Sequence, residues 1–314
     1  MGIAVAAVKQ QPRGLVKSEL DVTLPGQGFL RRLLRRGSLE QPCRKEAVVV
    51  ALASGKGGTG KSFLTTNLAI GLYQRNLRVA VVDCDFGLAN AHLLFGVNPR
   101  YTMQHLLGGQ RTVHEVLVPT PFGPSLVAGG SGISSLAELG AKHMQMLARA
   151  LSQLADRFDV LLIDCAAGLA PQSMITVLAA QHVVMVTNPE IAALTDAYAV
   201  IKCLSRQIEQ PNIQLVVNRV TDPQLGRATF ERLSEVSRRF AGLPIHYLGA
   251  VPEDQAVSHR RLGQAPMLLE TPECETSRAL SGLVATLEAQ VLETFSQPNT
   301  RGVEARMLTQ IRRW

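Results

Sequence analysis

The stretch Gly55-Lys56-Gly57-Gly58-Thr59-Gly60-Lys61-Ser62 constrains this chain more than any other. It follows the apolar run 47–52, which reads as a buried strand, and precedes residues 63–73, where Leu64, Leu68 and Leu72 recur at helical spacing. A glycine-rich turn between strand and helix sets backbone N–H groups and a helix N-terminus around a phosphate, in the pattern G-x-x-x-x-G-K-S. The glycines let the main chain approach without a Cβ clash, Lys61 carries charge to the β and γ groups, and Ser62 offers a hydroxyl to Mg²⁺. Phe63 opens the helix.

Acidic residues at the ends of two other apolar runs point to the same ligand. Residues 78–83 read as a strand ending in Asp83-Cys84-Asp85, and 160–164 as a strand ending in Asp164, the shape of a Walker B segment. Ligands gather at strand ends of parallel sheets, so Asp83 and Asp164 are expected to hold Mg²⁺ through water. Further strands read at 125–128, 182–187, 214–218 and 245–248, and helices at 143–154, 193–207, 228–240 and 277–295. This alternation predicts an α/β fold, a mostly parallel twisted sheet with helices on both faces.

With 314 residues and 46% apolar content, one globular domain with tails is expected. The boundaries are a basic recruitment segment 1–46, a nucleotide-binding domain 47–296, and a linker with a terminal helix 297–314. No apolar run reaches a membrane span and residues 1–8 do not make a signal peptide, so a cytoplasmic protein is expected. Cys43, Cys84, Cys165, Cys203 and Cys274 are odd in number and lack a C-x-x-C pair, which argues against a disulfide framework, a zinc site or an iron–sulfur carrier. The net charge of +7 sits in the tails: +5 in residues 1–46 and +3 in 301–314, leaving −1 for the rest. That distribution fits acidic partners or anionic lipid rather than a nucleic-acid face.

Both tails carry an amphipathic pattern. Phe29, Leu30, Leu33 and Leu34 fall on one arc and Arg31, Arg32, Arg35 and Arg36 on the opposite one. Val303, Met307, Leu308, Ile311 and Trp314 share a face beside Arg306 and Arg313, the composition of a surface-seeking helix that would bind anionic membrane.

Lys56, a second lysine inside the loop, gives Lys-Gly-Gly-Thr-Gly-Lys-Ser, which resembles the deviant Walker A motif of the ParA/MinD ATPases. Residues 83–90, Asp-Cys-Asp-Phe-Gly-Leu-Ala-Asn, resemble the first switch of the FlhG (FleN, YlxH) family of flagellar ATPases. Tyr101-Thr102 with Leu106-Leu107, the Gly129–Ile133 turn, Ala166-Ala167-Gly168, Thr187-Asn188-Pro189-Glu190, the run 193–202, Val217-Asn218-Arg219 and Val251-Pro252-Glu253-Asp254 are also similar to that family. The likeness implies a MinD-like P-loop NTPase in which ATP and Mg²⁺ join two subunits and hydrolysis releases them. It implies that Lys56 reaches the partner's phosphates and that Asp85 orients the attacking water. Asn218, with Arg219, would read adenine, and Pro252, Glu253 and Asp254 would line the base pocket.

By the same likeness, the protein would act in flagellar number and placement, peripheral on the inner face of the cell membrane, near a pole. The implied partners are an FlhF-like GTPase, a flagellar switch-complex protein or a flagellar transcription activator. The segment Gly26-Gln27-Gly28-Phe29-Leu30-Arg31 departs from the family's GTPase-activating pattern, having lost its Asp and Ala. A division-site MinD, a DNA- or cargo-positioning ParA, and a non-hydrolysing nucleotide-bound scaffold remain alternatives.

Overall fold

A computed structural model describes residues 46–87, 89–130, 139–208, 211–259, 264–296 and 302–313. The 29–36 stretch, the pattern 26–31, Cys43, Leu88, residues 131–133, the linker residues 297–301 and Trp314 lie outside them.

In chain order come β1 (Val48–Ala53), α1 (Lys61–Gln74), β2 (Val79–Cys84), β3 (Leu117–Pro119), β4 (Ser125–Val127), α2 (Ala141–Ala155), β5 (Val160–Cys165) and α3 (Pro171–Leu178). These are followed by β6 (His182–Thr187), α4 (Ile191–Gln207), β7 (Ile213–Val220), α5 (Pro223–Ala241), β8 (His246–Pro252), α6 (Glu275–Ser296) and α7 (Val303–Ile311), with shorter helical turns between some of them. The eight strands form one sheet in the order β3-β4-β2-β5-β1-β6-β7-β8, parallel except for the β3–β4 pair.

Every residue of β1, β2, β5 and β6 is buried, as a strand covered on both faces requires. Alternation along β1 then sorts the core. Ala47, Val49 and Ala51 pack with residues of α2, α3 and α4, while Val48, Val50 and Leu52 pack on the other face with α1 and α6. The chain leaves β1 for strands on one side and later fills the other. The C-terminal ends of β1 and its neighbours therefore border a topological switch point, where this sheet type opens a crevice.

Four elements differ from the sequence reading. β7 and β8 run further than expected: Asn218 lies opposite Val251, and the pairing skips the exposed, charged Arg219, which breaks the apolar pattern, and resumes at Val220 with Pro252. The helix Pro171–Leu178 carries no readable stripe because it is buried from Ser173 onward. α7 forms where amphipathicity predicts a helix, but the face expected to meet lipid lies against the body: Val303 and Met307 have no exposure and pack beside α2 and α3. Apolar side chains on so short a helix are covered by the nearest apolar surface, here that of its own chain. Among the described residues, no helix is long and apolar enough to cross a membrane.

Candidate functional site

The loop between β1 and α1 is held from below and from one side. Ser54 Oγ donates to the Lys56 carbonyl at 2.8 Å, and the Gly168 amide donates to the Ser54 carbonyl at 2.9 Å, tying the turn after β5 to the loop. A Cβ on Gly55 would overlap the main chain of Asp196 in α4. Gly57 and Gly58 are exposed and face open space, and Gly58 and Gly60 adopt left-handed φ values of 78° and 95°. α1 then starts at Lys61 with no side-chain cap and no acidic residue in its first turn. Its leading N–H groups are thus presented to an anion.

Lys61 is buried at 6% exposure, whereas Lys56 is exposed and its ammonium meets Glu190 at 3.3 Å. The two lysines of the motif therefore occupy different places: one in the cradle, one on its rim.

Asp83 and Asp164 stand side by side in the β2–β5 register, both with no exposure. Asp83 accepts the Asp85 amide at 3.0 Å through Oδ1 and the Ala91 amide at 3.2 Å through Oδ2, so one carboxylate shapes the whole segment between them. Gly129 makes room for this: a Cβ there would stand 2.8 Å from that of Ala89 and 3.3 Å from the Asp83 carboxyl carbon. Neither Asp164 oxygen has a partner at full hydrogen-bond geometry, although the Ser62 and Thr65 hydroxyls and the Lys61 ammonium lie near enough to draw its pKa down.

Both carboxyls nevertheless stand above their ordinary pKa, first through burial, and Asp83 next through the charge of Asp164. Two buried, adjacent carboxylates beside an available hydroxyl fit a hard divalent cation, which supplies the missing charge and ligands. The residues present therefore suit Mg²⁺. Asp85 sits half-buried above them, close enough for its charge to raise both pKa values.

A second compartment opens beside the loop, a cleft of about 250 Å³ lined by Gly60, Phe63, Asn218, Arg219, Val251, Pro252, Glu253, Asp254 and Val257. Asn218, 5% exposed, donates from Nδ2 to the Thr59 carbonyl at 2.8 Å, which fixes its amide and links the cleft to the phosphate loop. A Cβ on Gly60 would collide with that amide. Arg219 holds a left-handed φ of 59°, uncommon for a residue with a side chain. Asp254 caps the turn Gln255–Ser258 through the Ala256 amide and accepts the Thr276 hydroxyl, both at 2.8 Å, and the Glu253 amide bonds the Val220 carbonyl at 2.9 Å. The residues assigned to the nucleotide from sequence fall in two neighbouring places, the loop with its buried carboxylates and the cleft that Gly60, Phe63, Asn218, Arg219 and residues 252–254 line. Val257 joins them with no forewarning in the sequence, and Asp196 and Glu190, each within a family-like run but without an assigned role, join as the main chain behind Gly55 and the partner of Lys56.

A family profile for the CobQ/CobB/MinD/ParA nucleotide-binding domain matches residues 50–266, the span that builds both compartments. The chain belongs to this family. The antiactivator FleN of Pseudomonas aeruginosa is 34% identical over 255 residues, 81% of this chain and 89% of FleN. The flagellum site-determining protein YlxH of Helicobacter pylori is also 34% identical, over 78% of this chain and 83% of that one. Among solved structures, the septum site-determining protein MinD of Pyrococcus horikoshii in complex with Mg-ADP aligns with a TM-score of 0.67 and 25% identity, covering 81% of this chain and all of MinD. The CobQ/CobB/MinD/ParA membership agrees with the deviant P-loop and the MinD-like sheet.

Proposed function

We propose that this chain is an ATP-driven dimer switch of FlhG type that sets the number and placement of flagella. The observation that carries the biochemical reading is the division of labour between two lysines: Lys61 lies buried with Asp83 and Asp164, while Lys56 sits exposed on the rim, tied to an exposed glutamate. An exposed ion pair contributes at most about 1 kcal/mol, so Lys56 exchanges Glu190 for the phosphates of a second copy at little cost.

Within each subunit, Lys61 and the first amides of α1 hold the phosphates, and the 218–219 and 252–254 cleft takes the adenine. Ser62, Asp83 and Asp164 would hold Mg²⁺ and its waters, and the ion would supply positive charge to offset that of the phosphates. Asp85 is fixed at its own amide by Asp83 and orients the attacking water. The segment 83–91 then relaxes when the γ-phosphate leaves, and the two copies part.

The flagellar assignment is supported by the FleN and YlxH likeness, and a division-site role by the MinD likeness. Counting flagella and mapping septa in a deletion strain separates the two, since only the first predicts altered flagellar number with normal septa. An anionic membrane surface is proposed as the site of action of α7, which must first leave the body.

The biochemical test uses two variants. Asp85→Ala is expected to bind ATP with unchanged affinity, to lose at least about a hundredfold in turnover and to accumulate as dimer. Lys56→Ala is expected to bind nucleotide but to remain monomeric by light scattering. Wild-type turnover in the first, or an ATP-dependent dimer in the second, overturns the role given to that residue.

A further inference from the structure

Two consecutive threonines are buried inside α1, Thr65 at 0% exposure and Thr66 at 1%. Both hydroxyls bond back along the helix, Thr65 Oγ1 to the Lys61 carbonyl at 3.0 Å and Thr66 Oγ1 to the Ser62 carbonyl at 2.9 Å. Back-bonds of this kind add little to a helix, because each of those carbonyls already accepts the amide four residues on. Valine would fill the same space with no polar atom to bury. The helix alone therefore gives no reason for a hydroxyl at either position.

For Thr65 the reason lies across the helix face. It stands four residues after Lys61 and three after Ser62, the spacings that bring side chains together on one face, and Thr66 is turned about 100° further round. Along β5, Val160 and Leu162 share an apolar cluster with Leu64 and Leu68 of α1, and strand alternation puts Asp164 on that same side of the sheet. Thr65 is close enough for its hydroxyl to act on the Asp164 carboxyl.

Asp164 has no exposure, and neither of its oxygens has a partner at full hydrogen-bond geometry. Ser62, Lys61 and Thr65 are the donors near it. Two of these three are assigned to the ligand, Lys61 to the phosphates and Ser62 to the ion, whereas Thr65 has no such assignment. Its oxygen lies near both the Lys61 carbonyl and the carboxyl, so the proton passes from one acceptor to the other by rotation about a single bond, with no heavy atom displaced. The Lys61 carbonyl keeps the Thr65 amide, and the carboxylate gains a charge-assisted bond where an unpaired buried charge is costly.

We propose that Thr65 is a positioning residue for the metal side of the site: its hydroxyl fixes the Asp164 carboxylate for the waters of Mg²⁺, leaving Ser62 and Lys61 to the ligand. This rests on the reading of Ser62, Asp83 and Asp164 as the groups that take the ion.

Calorimetric binding of a non-hydrolysable ATP analogue to the full chain, carried from EDTA into rising MgCl₂, tests the assignment. In Thr65→Val the Mg²⁺ concentration for half-maximal tightening is expected to rise about tenfold, the scale of one lost bond to a charged group, while affinity in EDTA and the circular dichroism stay as in the wild type. Thr65→Ser keeps a hydroxyl and is expected to restore most of the response. Thr66→Val loses the same kind of back-bond and is expected to leave the curve in place. If valine crowds the helix, the smaller Thr65→Ala repeats the comparison and is expected to show the same shift. A wild-type curve in Thr65→Val overturns the proposal, as does an equal shift in Thr66→Val or a matching loss of affinity in EDTA, which would mark the hydroxyl as packing only. Asp164→Asn tells this failure from that of the underlying reading. A wild-type curve in Asp164→Asn sinks the metal assignment itself, whereas a shift there with none in Thr65→Val faults Thr65 alone. With both assignments correct, Thr65→Val adds no further shift in the Asp164→Asn background.

Discussion

Thr59 places a hydroxyl under the phosphate loop at 2% exposure with no hydrogen-bond partner, while its carbonyl holds Asn218. Thr59→Val keeps the shape and the carbonyl and removes the stranded polar atom. It is expected to stabilise the fold by about 1 kcal/mol with nucleotide affinity unchanged, read from the denaturant midpoint and a binding titration. A loss of stability would mean that the hydroxyl is satisfied. Residues such as Lys61, Ser62 and Asp83 were legible because their chemistry is written in local spacing, a strand end or a turn of fixed length. Glu190 lies in a family-like run that gives it no task, because its contact with Lys56 spans 134 positions and only folding brings the two together.

Elements that pattern could not reveal are those whose environment is uniform or whose pattern is broken by one side chain. The run 171–178 is buried nearly all round, so no 3.6-residue stripe marks it. β3 is three residues long and ends in proline, below what alternation can signal. By contrast, β1, β5 and β6 were read almost to their ends, because strands buried on both faces are continuous apolar runs. The packing of one element on another also shapes the site: α4 presses its main chain at Asp196 against Gly55. Gly55→Ala forces that contact apart and tilts the loop. Its expected effect is roughly tenfold weaker nucleotide binding, in line with the 1–3 kcal/mol typical of overpacking, with the fold retained by circular dichroism. Unchanged affinity would show that the loop adjusts without help from α4.

At the scale of the whole molecule, the N-terminal end of the interior strand β6, opposite the nucleotide crevice, holds a titratable knot. His182, at the start of β6, meets the Thr294 hydroxyl of α6 at 2.7 Å through Nε2 and the Asn212 amide at 3.1 Å through Nδ1. Burial lowers its pKa to about 4, against an ordinary 6.5. The unfolded chain therefore binds the proton first, and stability present above pH 6.5 is lost as pH falls toward 4. From pH 7 to pH 5 the expected loss is about 2 kcal/mol in urea titrations, and His182→Gln should flatten that slope. An equal slope in the variant would place the acid sensitivity elsewhere. The docking of α7 belongs to this scale too. Its amphipathic pattern was plain in sequence, but a stripe of apolar residues does not say which surface will cover it.

The two borders of the sheet have a further consequence. On one side β3 runs against its neighbour's direction and stops at Pro119 after three residues; on the other, the pairing of β8 slips register twice and ends at Pro252. Neither border offers a long, regular row of unpaired amides on which a strand from another molecule could grow. Fibre-like stacking through the sheet is thereby discouraged, and crowding many copies at one cellular location carries little risk of amyloid-type association.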